Sequence, residues 1–370
     1  MPRWGRSCNA TASTLSCPMP TSSPPASRHL SIRHPKTSPS KAPRTMAEIV
    51  AGPEAIALGV RLLSEGYLVA FPTETVYGLG ADALNPDAVA SVFALKGRPS
   101  HNPLIVHVSD EAMAQRVVRN WPEAATKLAR AFWPGPLTLV LPKTSDVPDA
   151  ITAGGDTVAV RCPEHPVALA LIESFAKPIV GPSANPSGYI SPTTPEHVRD
   201  AFAEEDLLVI DGGHCRAGIE STVLDLTGDS PAILRQGVIG AHRIAEVLGC
   251  DVQVRAAHQA EDEARSPGLI GAHYQPRTPA RLVSVDELAS APSSAVLIAW
   301  SIESHPAGGA LITMPQRLAA YAQAIYRALH EGDRSRGDQI WVESPPSASD
   351  DDERAIAEAL HERLRRATQR

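Results

Sequence analysis

Two short motifs carry the side chains best suited to chemistry. Lys96 and Arg98 stand one residue apart in KGRPSHNPLIVHV, and Ser183 and Asn185 repeat this spacing in IVGPSANPSG. Side chains on an extended segment alternate with a period of two, so each pair is expected to point in one direction. Two cations that converge on one anion suit a polyphosphate, and the hydroxyl and amide groups add donors and acceptors. The spacing predicts a nucleotide site without a P-loop.

Composition limits the class of protein. A chain of 370 residues is long enough for two domains, and its longest apolar runs are too short for a membrane helix. The five cysteines are scattered without C-x-x-C spacing, which argues against a zinc or redox motif. We therefore expect a protein of the reducing cytoplasm that does not enter a membrane.

The charge is distributed unevenly along the chain. Residues 1–45 hold seven Lys or Arg residues and no acid, so the remaining chain has 27 basic against 41 acidic residues, a formal charge of −14. An acidic body opposes long-range attraction to nucleic acid, so direct tRNA binding is expected to be weak or absent.

Residues 1–45 are rich in Ser, Thr and Pro and lack hydrophobic periodicity. This composition predicts a disordered tail. The tail is interpreted as the result of a start codon assigned too far upstream or as a dispensable extension, because its prolines oppose the amphipathic helix of a transit peptide. A transit peptide remains the alternative.

The rest of the chain alternates helical and apolar strand-like segments, which predicts an α/β protein with a twisted mixed sheet. Residues 46–249 are assigned to this first domain, residues 250–280 to a Pro-containing linker, and residues 281–370 to a small Rossmann-like α/β domain. Strands are predicted at Leu68 to Phe71, Leu104 to Val108, Thr138 to Leu141, Thr157 to Arg161, Ile179 to Gly181, Leu207 to Ile210, Ser221 to Asp225, Ala280 to Val283, Ala295 to Ala299 and Gln339 to Glu343. Helices are predicted at Glu54 to Glu65, Asp87 to Ala94, Pro315 to Glu331 and Glu353 to Arg366.

Several further runs join the two motifs in a fixed order. They are FPTETVYGLGADA, FWPGPLTLVL, VAVRCPEHP, GIESTVLDL and, farther on, SPGLIGAHYQPRTP. The set closely resembles the YrdC-like domain and linker of two-domain threonylcarbamoyl-AMP synthases, from about residue 46 to the C-terminus. The match is strong up to about residue 240 and weak after about residue 282.

The resemblance assigns roles to individual residues. Lys96 and Arg98 would act as catalytic cations on the phosphates of ATP. The residues implied for L-threonine are Thr75, His107, Arg161, Gly181 and Ser221. Those implied for ATP are Lys96, Arg98, Asn102, Thr157, Ser183, Asn185, Ser191, Arg235 and Tyr274, the last from a linker that would fold over the site.

The reaction that the resemblance implies joins L-threonine, bicarbonate or CO2, and ATP into threonylcarbamoyl-AMP with release of pyrophosphate. Mg2+ would accompany the ATP phosphates without a ligand from a protein side chain. A separate threonylcarbamoyl-transferase complex would then use the product for t6A37 modification of tRNAs that decode ANN codons.

Simpler interpretations stay open for single residues. An isolated K-x-R can cap a helix, His107 can be a satisfied strand residue, Arg161 can form a structural ion pair, and Tyr274 can pack the linker. An RNA-binding or ribosome-maturation protein of the same fold is the alternative function. The sequence contains no Walker A, H-E-x-x-H or G-x-S-x-G motif that would favour another enzyme class.

Overall fold

A computed structural model describes residues 46–255 and 273–369. The predictions for residues 1–45 and for residues 256–272 of the linker lie outside the described residues. The helices are α1 (Pro53–Ser64), α2 (Pro86–Lys96), α3 (Glu111–Ala114), α4 (Glu123–Phe132), α5 (Pro166–Phe175), α6 (Pro195–Ala201), α7 (Ala241–Leu248), α8 (Val285–Leu288), α9 (Leu318–Arg334) and α10 (Asp351–Thr368), with a 3-10 turn at Asp149–Thr152.

The strands form two separate sheets. The first sheet has the order β1-β8-β2-β3-β7-β4-β6-β5-β9-β10-β11, and the second has the order β12-β15-β13-β14. The strands are β1 (Glu48–Val50), β2 (Val69–Phe71), β3 (Gly78–Asp82), β4 (Ile105–His107), β5 (Leu137–Pro142), β6 (Thr157–Arg161), β7 (Ile179–Val180), β8 (Leu208–Ile210), β9 (Thr222–Asp225), β10 (Ala232–Arg235), β11 (Gln253–Val254), β12 (Ala280–Val283), β13 (Ala295–Ala299), β14 (Leu311–Thr313) and β15 (Gln339–Glu343).

The first sheet mixes parallel and antiparallel pairs, as the sequence predicted. Strand β6 pairs in parallel with β4 and antiparallel with β5. Its TVAVR sequence is buried in four of five positions, because Val158 and Val160 pack into the main apolar cluster and Ala159, on the opposite face, packs into a smaller one. The predicted α/β fold class is confirmed.

The second sheet is entirely parallel, with pairs β12–β15, β15–β13 and β13–β14. Helices α9 and α10 pack together beside it through apolar side chains such as Ile325, Leu329 and Leu360. The same cluster of buried side chains also includes Ile219 and Tyr274, which lie beside a polar cavity of the first sheet. The second sheet is thus attached to the first through helices α9 and α10.

The expectation that Lys96 and Arg98 lie on an extended segment is wrong. Helix α2 runs through Lys96 and ends at Gly97, whose left-handed backbone (φ 59°, ψ 34°) reverses the chain. The amide N–H of Arg98 then donates to the carbonyl of Phe93 at 3.0 Å. Glycine adopts this conformation without strain, so K-G-R here is a helix C-terminus.

Sequence patterns missed elements whose composition is atypical. Strand β3 has the sequence GLGAD, and its two glycines concealed the strand. They are required because a Cβ on Gly78 or Gly80 would lie about 3 Å from the ring of Phe71 on β2.

Gly218 lies against the backbone of α9. Its φ is +74°, and a Cβ there would lie 2.4 Å from the carbonyl oxygen of Ala322 and 2.4 Å from the Cα of Gln323. Gly154 also has a positive φ, +83°, but open space around the position of its Cβ. Comparing the same substitution at Gly218 and Gly154 therefore distinguishes the cost of backbone strain, which both share, from the cost of a clash with α9, which only Gly218 has.

Gly218→Ala is expected to lower the free energy of unfolding by about 1–3 kcal/mol more than Gly154→Ala, because only the former forces α9 away. Urea unfolding of both variants measures the difference. Equal losses of stability would mean that α9 does not approach this loop closely.

Two histidines join α6 to α9. The rings of His197 and His330 stack with centroids 3.9 Å apart. Burial first, and then the neighbouring charges, lowers the pKa of His330 to about 4 and that of His197 to about 2. Both rings are therefore neutral at pH 7.

The unfolded chain binds more protons than the folded one once the pH falls below about 6.5, the usual pKa of histidine. Stability is therefore fully present above that pH and is lost as the pH falls toward 4. In the unaltered protein the free energy of unfolding falls with each pH unit of acidification near pH 5. His330→Phe keeps an aromatic ring in the stack but cannot be protonated, so this slope is expected to be smaller by about 1 kcal/mol per pH unit. Urea unfolding at several pH values measures this slope, and a slope equal to that of the unaltered protein would contradict the expectation.

No helix among residues 46–255 and 273–369 is long and apolar enough to cross a membrane.

Candidate functional site

A polar cavity lies over one face of the first sheet. Part of the cavity lining comes from strands β4 and β6. Alternate side chains of a strand share a face, so Ile105 and His107 of β4 point to the same side of the sheet. Arg161 of β6 is the register partner of His107 and points to that side as well. The wall is formed by Thr73, Thr75, Val76, Gly78, Arg98, Ile105, His107, Arg161, Gly181, Pro182, Ser183, Glu220, Arg235, His273 and Tyr274.

The structure brings many of the predicted residues together and leaves others outside the wall. Those in the wall are Thr75, Arg98, His107, Arg161, Gly181, Ser183, Arg235 and Tyr274. Among the described residues, those predicted for the site but behind or beside the wall are Lys96, Asn102, Thr157, Asn185, Ser191 and Ser221.

Arg98 is held by the loop that follows it. Its Nη2 donates to the side-chain oxygen of Asn102 at 2.6 Å and to the carbonyl of Pro103 at 2.7 Å, and its Nε donates to the Asn102 carbonyl at 3.0 Å. Burial, and then the charge of Arg235, lowers the pKa of Arg98 to about 9. A bound anion would restore the balance of charge.

Arg235 ends β10 and is held by Ser221 at the entrance to β9. Its Nε and Nη2 donate to the Ser221 carbonyl at 3.1 and 3.0 Å, and Nη2 also contacts the Ser221 hydroxyl at 3.1 Å. That hydroxyl shares a 2.8 Å hydrogen bond with Thr138 of β5. Ser221 is fully buried, so it orients Arg235 from behind the wall.

Arg161 ends β6 and forms a buried ion pair with Glu74. The contact from Nη2 to Oε2 is 2.7 Å but lacks hydrogen-bond geometry, and Nε donates to the carbonyl of Gly135 at 3.2 Å. The structural ion pair allowed by the sequence is therefore present. The guanidinium also lines the cavity, where it can receive a carboxylate.

Lys96 lies behind the wall. Its ammonium donates to the carbonyls of Ser183 and Asn185, each at 2.5 Å, so it fixes the S-x-N segment that follows β7. Burial, and then the charge of Arg98, lowers the pKa of Lys96 well below its usual value. In this state the lysine shapes the wall and does not project into the cavity.

Asn185 and Ser191 bind protein groups. The Asn185 amide donates to the carbonyls of Pro186 and Tyr189, both at 2.9 Å, and the residue borders a neighbouring pocket. The Ser191 hydroxyl donates to Glu220 Oε1 at 2.7 Å.

Thr157 begins β6 on the same face as Arg161, roughly 13 Å away along the strand.

His107 and Gly181 shape the apolar side of the cavity. The Nδ1 atom of His107 is buried without a hydrogen-bond partner among the described residues. Burial, and then Arg161, lowers the pKa of His107 to about 3, so the ring is neutral. A Cβ on Gly181 would lie 2.7 Å from His107 Nδ1 and 2.9 Å from Phe71 Cζ, so glycine keeps this space open.

Tyr274, which follows residues 256–272 in the sequence, lines the cavity. It is fully buried, has a φ of +64°, and stacks on Tyr326 of α9 with ring centroids 5.5 Å apart. His273 packs against it and also lines the cavity.

Two carboxylates and one histidine of the site were not predicted. They are Glu74 in PTET, Glu220 in GIEST and His273 beside Tyr274. For the two acids the sequence did offer a signal, because a single acid stands among hydroxyl and apolar residues that are otherwise typical of a buried segment. The resulting cavity combines three arginines with the buried acid Glu220 and suits a ligand that carries separated negative charges.

Family models match most of the chain. Residues 61–237 match the Sua5_yciO_yrdC family, described as "Telomere recombination", and residues 239–369 match "Threonylcarbamoyl-AMP synthase, C-terminal domain".

Relatives named threonylcarbamoyl-AMP synthase span most of the chain. The Bacillus subtilis protein is 38% identical over 320 residues, which cover 81% of this chain and 90% of that protein. The Pyrococcus abyssi protein is 48% identical over 223 residues, which cover 60% of this chain but only 65% of that protein.

A solved structure extends the likeness over both sheets. The crystal structure of P. abyssi Sua5 complexed with L-threonine has a TM-score of 0.79 and 36% identity, and the match covers 88% of this chain and 98% of that one. On these matches, this chain belongs to the threonylcarbamoyl-AMP synthase family.

Proposed function

We propose that this chain makes L-threonylcarbamoyladenylate from L-threonine, bicarbonate or CO2, and ATP, with release of pyrophosphate. The observation that carries the proposal is one cavity whose wall holds three arginines, Arg161, Arg98 and Arg235, the last two near enough for their charges to interact. Such a cavity can receive an amino-acid carboxylate and a triphosphate at once. Membership of the family and the L-threonine complex of a relative support it.

The L-threonine side is proposed to consist of Thr75, His107, Arg161, Gly181 and Ser221. Arg161 would bind the carboxylate, which can replace Glu74 as its partner because the present contact lacks hydrogen-bond geometry. The neutral His107 and the open space at Gly181 suit the uncharged part of the substrate. Ser221 would lie behind the wall and, through its hydrogen bond to Arg235, link the L-threonine side to the ATP side.

The ATP side is proposed to consist of Arg98, Ser183, Arg235 and Tyr274 in the wall, with Lys96, Asn102, Thr157, Asn185 and Ser191 around it. Arg98 and Arg235 would neutralise charge on the phosphates, since burial lowers the pKa of each guanidinium and a bound phosphate would favour its charged form. Tyr274 would cover the nucleotide. Lys96 would fix the turn that carries Ser183.

The reaction needs positioning more than a nucleophilic side chain. The threonine amine adds to the carbon of CO2 and loses a proton, which gives a carbamate. A carbamate oxygen then attacks the α-phosphorus of ATP, and the bond to the pyrophosphate oxygen breaks. Arginines fixed before the substrates arrive can stabilise the charge that moves onto pyrophosphate.

The cavity wall offers little to hold a metal through the protein. Residues 46–255 and 273–369 contain no group of three potential metal ligands, and the wall carboxylate Glu220 is engaged by Arg363, Tyr326 and Ser191. Mg2+ is proposed to arrive with ATP, held by its phosphates without a ligand from a protein side chain.

The wider role is proposed from the same assignment. A downstream threonylcarbamoyl-transferase complex would use the product for t6A37 modification of ANN-decoding tRNAs, with little direct tRNA binding by this chain. Cys162 and Cys215 are buried free thiols, which supports a cytoplasmic location. The proposed division is a catalytic domain at 46–249, a linker at 250–280 and a smaller domain at 281–370.

The full chain is expected to release pyrophosphate from ATP and bicarbonate with L-threonine, and far less with L-serine or without an amino acid. Lys96→Ala and Arg161→Ala are each expected to lower this rate by about 100-fold or more, because the first releases the turn that carries Ser183 and the second removes a buried cation from the wall. Lys127→Ala, at a half-exposed position of α4, serves as the control and is expected to retain the rate.

A folded protein whose pyrophosphate release ignores L-threonine, or which releases none, would contradict the proposed reaction. Salt-dependent binding of RNA by the same sample would then favour the RNA-binding alternative.

Gly181→Ala is expected to raise the KM for L-threonine by about tenfold or more with a smaller change in the KM for ATP, because the new methyl group displaces His107. Steady-state kinetics with each substrate varied in turn measure this. An equal rise in both KM values would argue against assigning Gly181 to the L-threonine side.

A further inference from the structure

Glu220 is the point at which helices α9 and α10 contact the wall of the cavity. Its Oε2 accepts from Arg363 Nε of α10 at 2.7 Å and from the Tyr326 hydroxyl of α9 at 3.0 Å. Its Oε1 accepts from Ser191 at 2.7 Å. Arg363 also reaches the backbone carbonyl of Glu220 at 3.3 Å, so the arginine holds both the side chain and the main chain.

Arg363 is itself deeply buried. It is 2% exposed, and its remaining hydrogen bond goes to the carbonyl of Ala359 at 2.9 Å. Burial alone would lower the pKa of Arg363, yet the charge of Glu220 raises it above its usual value. The charge of a buried arginine has to be balanced by nearby carboxylates, here mainly Glu220 at 2.7 Å and then Glu362 at 3.6 Å.

The same two helices hold Tyr274. Its ring stacks on Tyr326, and the Arg363 guanidinium lies 6.0 Å from its ring centroid. A positive φ is strained for tyrosine, so its conformation depends on neighbours that fix it. Arg363 and Tyr326 therefore contact both Glu220 and Tyr274, which line the cavity side by side.

Electrostatics give this arrangement a consequence for an anionic ligand. Burial raises the pKa of Glu220, but Arg363 and then Arg235 lower it to about 2, so the carboxylate is charged. Without Arg363, a negative charge in the wall would face the phosphates, and Arg235 would be its strongest remaining cation. Glu220 would then repel the triphosphate and compete with it for Arg235.

We infer that Arg363 is a positioning residue of the ATP side, which neutralises Glu220 and fixes Tyr274 although it lies outside the cavity wall. This inference rests on the proposed function for its substrate. It gives the C-terminal helices a role in nucleotide binding beyond packing. Ser191 acts in the same network as a donor to Glu220 from the other side.

The test is isothermal titration of the full chain with ATP and, separately, with L-threonine. Arg363→Met is expected to weaken ATP binding by about tenfold or more and L-threonine binding by less than about threefold, because the unbalanced charge faces the phosphates. Arg363→Lys, which keeps the charge, is expected to retain most of the ATP affinity. Glu220→Gln added to Arg363→Met is expected to restore ATP binding to within about threefold of the unaltered protein, since it removes the unpaired charge.

Leu364→Ala is the control for simple loosening of α10. Leu364 is buried on the same helix within the apolar cluster, so its loss destabilises the packing without touching Glu220. Arg363→Met that binds ATP normally would overturn the inference, as would Leu364→Ala that weakens ATP binding equally. So would a double variant no better than Arg363→Met.

Tyr326→Phe provides a second route if Arg363→Met does not fold. It keeps the ring stack and removes one hydrogen bond to Glu220, so ATP binding is expected to weaken by about threefold. Unchanged binding would overturn the inference. Because ATP binding is measured without turnover, a protein that binds ATP but ignores L-threonine would contradict the proposed reaction and still test this inference.

Discussion

Four buried cations around one cavity impose the constraint on which the rest of the structure depends. Lys96, Arg98, Arg161 and Arg235 are each at least nine-tenths buried. Burial disfavours a charged group unless acceptors lie at fixed positions around it. The chain supplies these acceptors mainly as backbone carbonyl oxygens, such as those of Pro103 and Ser183, and it also places the acid Glu74 beside Arg161. These backbone segments are thereby fixed, and the cations remain able to attract an anion.

This constraint explains why the two sheets are joined as they are. The wall carries the acid Glu220 among the arginines, and the C-terminal helices supply the cation and hydroxyl that balance it. Gly218, two residues earlier, lets α9 come close enough for this contact. The contacts of Arg363 and Tyr326 with Glu220 therefore both hold the helices against the first sheet and balance the charge of the cavity wall.

Sequence periodicity was sufficient where a strand or helix has an ordinary composition. The strands Thr157–Arg161 and Gln339–Glu343 have the predicted bounds, because their apolar runs end at charged residues. It failed at Lys96 to Arg98, where one glycine ends a helix and the spacing alone suggested an extended chain. It also failed at Glu220, whose partner Arg363 is 143 residues away and could not be paired with it from local pattern. The family resemblance supplied candidates for the cavity, and eight of them do line it, but it did not reveal which residues support the wall from behind.

The most direct test of the central claim is the mass of the product formed by the full chain from ATP, L-threonine and carbon-13 bicarbonate. We expect a species that contains AMP, threonine and one labelled carbon, formed together with pyrophosphate. AMP or ADP formed without a threonine adduct, or an adduct without the label, would contradict it.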